Sequence, residues 1–262
     1  MGNYNTPFYG LSDIGLVRKV NQDLWASLPE HRYFVLADGM GGHQAGEVAA
    51  KEAVENLVAA FKATGGTLRK VENHHVVADF VRDSIEKANR AVYNMGKQNS
   101  QLEGMGTTIC SLYVHHRHVI YAHVGDSRIY CFRNGELKLL TQDHTLLQEF
   151  ENAMQDSFSH ERATCVKYKH VLTQAIGINP KVKPAVGIKT IVDGDIYLLC
   201  SDGLSDGVSH ETIQAILTEN SLDLEQATQK LIQIAKQAGG KDNITAILTR
   251  LELVTEEATI AK

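Results

Sequence analysis

Strand-like and helix-like segments do not alternate along this chain: they come in runs of one kind separated by pairs of the other, and that order limits the possible folds. Period-2 apolar patterning marks strands at 9–12 and 33–37. A 3.6-residue period then marks helices over 45–62, through Val48, Ala49, Ala53, Leu57 and Ala60, and over 76–97, with Gly65-Gly66 read as the break between them. Four strands follow at 108–114, 119–124, 128–132 and 137–140, an antiparallel meander whose last turn, Asn134-Gly135, suits a two-residue hairpin loop. The stretch 146–169 is polar and weakly periodic and reads as a surface flap with helix at its start. Beyond it come strands at 186–191 and 196–200, helices at 210–218 and 224–238, and a closing strand at 244–251. Parallel strands need a crossover between each pair. Runs of strands therefore predict antiparallel sheets covered by helix layers, an α+β sandwich.

The 262 residues suit one such unit, predicted to span 1–252 with a short polar tail at 253–262. Hydrophobic residues make up 43% and charged residues 22%, enough for a sizeable core. A net charge of -5 gives no basic footprint, which argues against nucleic acid as a partner. No run approaches the roughly 20 apolar residues of a membrane helix, so a cytoplasmic monomer is expected. Cys110, Cys131, Cys165 and Cys200 are scattered without paired or metal-type spacing and read as reduced packing residues.

Four aspartates stand at the ends of apolar runs or at the entry to one: Asp38 in Ala-Asp-Gly, Asp126 in Val-Gly-Asp-Ser-Arg, Asp202 in Ser-Asp-Gly and Asp242 in Lys-Asp-Asn-Ile. Small neighbours let backbone and solvent approach, and hard carboxylate oxygens suit magnesium or manganese. Taken singly, Asp-Gly is ordinarily a turn, and Asp193-Gly194 and Asp206-Gly207 are read that way.

Together the motifs are far more specific. The chain resembles the metal-dependent protein phosphatases, the PPM or type 2C family, over about residues 8–251. The likeness rests on Arg18-Lys-Val-Asn-Gln-Asp23, Ala37-Asp-Gly-Met-Gly-Gly-His-Gln-Ala-Gly-Glu47, Gly106-Thr-Thr108, Val124-Gly-Asp-Ser-Arg128, Leu140-Thr-Gln-Asp-His144, Leu199-Cys-Ser-Asp-Gly-Leu-Ser-Asp-Gly207 and Gly240-Lys-Asp-Asn-Ile-Thr245. The glycine-rich segment after Asp38 is similar to the compact bacterial members. The resemblance implies a four-layer α-β-β-α sandwich of two antiparallel sheets flanked by helix pairs, hydrolysing phosphoserine and phosphothreonine in proteins.

It also implies site roles. Asp38 would bridge two Mn2+ or Mg2+ ions, with the Gly39 carbonyl, Asp202 and Asp242 completing the protein ligands. Asp126 with Asp202 matches a third, weaker cation site, and Arg18 the residue that holds the substrate phosphate. Gln22, Asp23 and Asn243 would orient ligands from behind. The implied partners are phosphorylated proteins, among them a serine/threonine kinase and its substrates. Two positions depart from the pattern: Gln22 stands where many relatives carry glutamate, and Met40 where eukaryotic relatives carry histidine.

Other chemistries fit worse. A thiol phosphatase needs an arginine six residues after its cysteine, and none of the four cysteines has one. Gly39-Met-Gly41 lacks the third glycine of a dinucleotide fingerprint, and Gly240-Lys241 lacks the spacing of a P-loop. His115-His116-Arg117-His118 reads as a solvated hairpin turn, and His43 and His144 as structural hydrogen-bonding residues. Two rivals remain: a phosphatase dedicated to a sigma-factor regulator, and a catalytically dead binding module.

Overall fold

A computed structural model describes residues 4–40, 45–153 and 168–254. Its central strands are apolar on both faces because both faces are covered. In β4 (Tyr33–Met40), Tyr33, Val35 and Ala37 face one helix layer while Phe34 and Leu36 face the second sheet. In β11 (Ile196–Cys200), Ile196, Leu198 and Cys200 face the other helix layer while Tyr197 and Leu199 face the first sheet. Alternation of successive side chains thus feeds three stacked apolar layers at once.

Among the described residues, one sheet has the strand order β10-β7-β6-β4-β3, with the short β5 (Gly106–Thr107) pairing with the end of β4. Its other strands are β3 (Asp23–Leu28), β6 (Ile109–His115), β7 (His118–Val124) and β10 (Ala185–Thr190). The second sheet has the order β2-β12-β11-β8-β9, formed with β2 (Phe8–Asp13), β8 (Arg128–Arg133), β9 (Glu136–Leu139) and β12 (Ile244–Arg250). All the pairings are antiparallel. Helices α1 (Ala45–Leu68) and α2 (His74–Gln98) cover the first sheet, and α5 (His210–Glu219) and α6 (Leu224–Gln237) cover the second. The two shorter helices are α3 (Leu146–Ala153) and α4 (Asp202–Ser205). This is the expected four-layer sandwich.

Three details differ from the sequence reading. The four strands after Gly106 are not one meander: β6 and β7 pair in the first sheet, β8 and β9 in the second, and the chain changes sheets at Gly125–Ser127. Period 2 reports strands but not which sheet they join. Helix α1 runs through Gly65-Gly66 instead of ending before it. Gly65 is buried against the His31 ring, where a Cβ would lie 2.4 Å from Nδ1, so close packing explains a residue that local propensity reads as a break. Strand β3 has no counterpart among the expected strands; its Trp25 packs against Gly10 of β2, where a Cβ would come within 2.7 Å of the indole.

Smaller corrections concern the tail and the histidine-rich turn. Leu253, placed in the tail, pairs with Tyr4 in a two-stranded ladder of β1 (Tyr4–Asn5) and β13 (Glu252–Leu253). His115 is buried, its Nε2 3.2 Å from the Leu68 carbonyl, while His116 forms the turn with φ 52. The Asn134-Gly135 hairpin is as expected, both residues having positive φ, 54 and 84. Of the flap, α3 provides the helix at its start; residues 154–167, including Cys165, lie outside the described residues.

The glycine pair yields a test. Gly66 has open space where a Cβ would sit, so Gly66→Ala is expected to raise stability by about 0.5–1 kcal/mol, and Gly65→Ala to lower it through the His31 clash. Thermal or urea denaturation of the two variants should give opposite signs.

Candidate active site

The alternation that builds the core also carries polar residues to one end of the inter-sheet layer. Phe34 and Leu36 point between the sheets, and Asp38 follows them on the same side of β4. Asp23, at the start of β3, is paired in register with Asp38. From the opposite sheet, Ser201 and Thr245 occupy the corresponding face, and both donate to Asp23 Oδ2, at 2.8 and 2.7 Å. Asp23 therefore fastens the two sheets together behind Asp38.

The structure brings the other predicted residues to the same place. A cleft of about 1120 Å³ is lined by Arg18, Gln22, Asp38, Gly39, Asp126, Asp202 and Asp242, with Met40 and Thr108 on its wall. Gly39 is required by packing: a Cβ would fall 2.3 Å from the Gly46 carbonyl oxygen of α1 and 2.7 Å from that of Gln22. Asn243 accepts from the Gln22 N–H at 2.8 Å and donates to the carbonyls of Ile14 and Val20, both at 3.0 Å, lacing down the loop that carries Arg18. Its own N–H donates to Asp242 Oδ1 at 2.8 Å. The Arg18 guanidinium, half-exposed at the rim, lies 2.6 Å from Asp242 Oδ2. His43 lies outside the described residues.

Electrostatics single out the cluster. Burial, then the charges of Asp23, Asp202, Asp126 and Asp242, hold the Asp38 carboxyl well above the usual carboxylate range. Burial raises Asp23 to about 6, against the hydroxyl hydrogen bonds that lower it, and raises Asp126 to about 7 with help from Asp202 and Asp143. Asp202 is raised by burial and by Asp242 and Asp206. One oxygen of Asp202 and one of Asp23 are buried with no hydrogen-bond partner. Unpaired carboxylate oxygens facing like charges are costly in a low-dielectric site. An all-oxygen donor set of this kind fits hard divalent cations.

Three site residues escaped the sequence reading. Asp206, in the turn expected at Asp206-Gly207, also caps α4 and places Oδ2 3.3 Å from Lys169 Nζ and 3.5 Å from His170 Nε2. His170, Asp202 and Asp206 each offer a ligand atom within 4.8 Å of the others. The spacing of Asp202 and Asp206, i and i+4, is a legible signal for one helical face; Lys169 and His170 have none, lying at the end of the weakly periodic 146–169 stretch and just past it. The described cysteines are buried, and burial pushes the Cys200 thiol up to about 12, against any nucleophilic role.

A four-layer sandwich with buried carboxylates at one end of its sheets defines the class of metal-dependent phosphatases. The model for protein phosphatase 2C matches residues 17–249. Protein phosphatase PhpP of Streptococcus pneumoniae is 35% identical over 244 residues, covering 92% of this chain and 96% of that protein. Among solved structures, the Streptococcus agalactiae serine/threonine phosphatase superposes with TM-score 0.83 at 35% identity, over 95% of this chain and 100% of that one. The catalytic domain of the serine/threonine protein phosphatase PstP, in complex with two manganese ions, superposes with TM-score 0.79 at 32% identity over 95% and 100% of the chains. The chain belongs to the protein phosphatase 2C family; it is a metal-dependent serine/threonine protein phosphatase.

The raised Asp126 predicts a pH signature. An acid whose folded-state value is raised above its ordinary 3.8 to about 7 binds its proton more tightly in the fold than in the unfolded chain, so its stabilising contribution is lost as pH rises through that window. Asp126→Asn removes this loss. In chelator, its gain in stability over the parent is expected to be small at pH 4 and to grow towards pH 8, with a ceiling of roughly 4 kcal/mol at about 1.4 kcal/mol per tenfold change in acidity. A pH series of denaturation curves for both proteins measures it; a gain independent of pH would contradict the assignment.

Proposed function

We infer that this chain hydrolyses phosphoserine and phosphothreonine in proteins by direct attack of water on phosphorus, without a covalent intermediate, and so reverses serine/threonine kinase signalling. The observation that carries the reading is the convergence of Asp38, Asp202, Asp242 and the Gly39 backbone in one cleft, with one oxygen of Asp202 buried there without a hydrogen-bond partner. In this reading Asp38, the Gly39 carbonyl, Asp202 and Asp242 would be the protein groups that hold two Mn2+ or Mg2+ ions. Asp126 and Asp202 hold a third, weaker ion. When bound, such cations supply an acidified water as nucleophile and neutralise charge on the phosphate during in-line displacement.

The protein's own groups do the rest. Asp23 keeps Asp38 in place through the hydroxyls of Ser201 and Thr245, and Gln22 and Asn243 hold the Arg18 loop against β12. Arg18 offers a fork of N–H donors to phosphate oxygens, exchanging the Asp242 carboxylate for substrate. An open cleft suits a phosphorylated segment of another protein, and a net charge of -5 argues against nucleic acid. No helix among the described residues is long and apolar enough to cross a membrane. A monomer acting in the cytoplasm is the simplest setting.

The reading is checked with phosphothreonine peptide in manganese. Arg18→Ala is expected to raise KM about tenfold or more, the worth of a charge-assisted hydrogen bond; an unchanged KM removes Arg18 from the phosphate site. Asp38→Ala and Asp202→Ala are expected to abolish turnover while the chain stays folded by circular dichroism, because each removes a ligand and also relieves carboxylate repulsion. Full turnover after exhaustive chelation would overturn the whole assignment.

A further inference from the structure

The residues that carry the chain from one sheet to the other, 125–128, are among the most firmly held in the site. Gly125 has φ +101 and lies so close to Thr108 that a Cβ would come within 2.6 Å of its methyl carbon. Lying between two ladders, its backbone groups need partners from elsewhere. His144 supplies both: the Gly125 N–H donates to His144 Nδ1 at 3.2 Å, and the His144 N–H donates to the Gly125 carbonyl at 3.0 Å. Ser127 shares a 2.7 Å hydrogen bond with Thr108, whose hydroxyl also accepts from the Asp38 N–H at 3.0 Å. Arg128 is gripped by Asp143 through three contacts of 2.7–3.2 Å. Asp126, at the centre, lines both the main cleft and an adjoining cavity of about 240 Å³ shared with Asp202.

We propose that His144 is a positioning residue: its Nδ1, accepting from Gly125, fixes the turn that aims the Asp126 carboxylate at Asp202, and thereby sets the affinity of the cation this pair holds. The inference rests on the reading of Asp126 and Asp202 as a third cation site. Accepting a hydrogen bond at Nδ1 requires a lone pair there, which places any ring proton on Nε2. The ring is fixed from behind by His123, stacked at 4.6 Å and 22°, and His123 is itself anchored by its Nε2 to the Gln142 carbonyl at 2.8 Å. The same residue reaches the cleft's other wall, since the His144 carbonyl accepts from the Thr173 N–H at 2.8 Å. A leucine in place of His144 would fill the space but leave the Gly125 N–H unsatisfied; an asparagine can return an acceptor close to the Nδ1 position.

Residues that orient ligands from behind typically change metal affinity or activity 10–100-fold when removed. The test compares Asp126→Ala, His144→Leu, His144→Asn and the double variant Asp126→Ala/His144→Leu. Each is titrated with Mn2+ by calorimetry and assayed with p-nitrophenyl phosphate. His144→Leu is expected to keep the two tight sites, weaken the third at least tenfold and lower kcat with KM unchanged. His144→Asn is expected to restore most of both, and the double variant to match Asp126→Ala alone. If Asp126→Ala weakens the third site while His144→Leu, shown to be folded, does not, the positioning role is overturned and the cation site stands. If Asp126→Ala changes neither metal binding nor turnover, both fall. Should His144→Leu fail to fold, His144→Gln, whose longer amide does not return an acceptor at the Nδ1 position, takes its place against His144→Asn; equal behaviour of these two would also overturn the proposal.

Discussion

Carboxylates gathered where two sheets meet repel one another, and much of the surrounding structure serves to hold them there. Asp38 is half-buried at the end of the inter-sheet layer and faces the charges of Asp23, Asp126, Asp202 and Asp242. Left to itself such a group would spread apart or take up protons. The frame prevents the first: Asp38 sits on a strand covered on both faces, and Asp23 beside it is hydrogen-bonded to Ser201 and Thr245 of the opposite sheet. Divalent cations bound there would answer the second by supplying the missing positive charge, and would link ligand binding to stability.

The frame is rigid because its layers are shared. β4 and β11 each contribute alternate residues to an outer core and to the inter-sheet core, so neither strand can shift without disturbing two packed layers. Glycines occur where backbones must touch: Gly39 against Gly46 and Gln22, and Gly125 against Thr108. Thr108 links these regions, accepting from the Asp38 N–H with its hydroxyl while pairing with Ser127. The Asp38 backbone and the turn bearing Asp126 are in this way tied to one side chain.

The rim has a different character. Arg18 is half-exposed on a loop that Asn243 laces from beneath, and Lys169 and His170 reach Asp206 across the opposite edge. Surface ion pairs of this kind contribute little to stability. They leave the charged groups free to exchange partners, as a site receiving a phosphorylated segment requires. A buried frame with an adaptable rim fits a cluster that stays fixed beneath changing protein substrates.

The sequence alone determined most of the elements and the strand ends where four of the aspartates gather. Strand ends could be read because each of Asp38, Asp126, Asp202 and Asp242 adjoins a strongly apolar run, and the sandwich followed from strands arriving in runs. Tertiary structure decided what local pattern does not encode. The four central strands divide between two sheets because a turn at Gly125 redirects the chain, yet the alternation on either side reads the same. Gly65 sits inside α1 because the His31 ring occupies the space a side chain would need, a contact made by a residue 34 positions away in sequence. Asp206 and His170 met only through folding, and Asp23 became the fastening between sheets only once β3 paired with β4. Periodicity reports which face of an element is apolar; which other element covers that face depends on long-range packing.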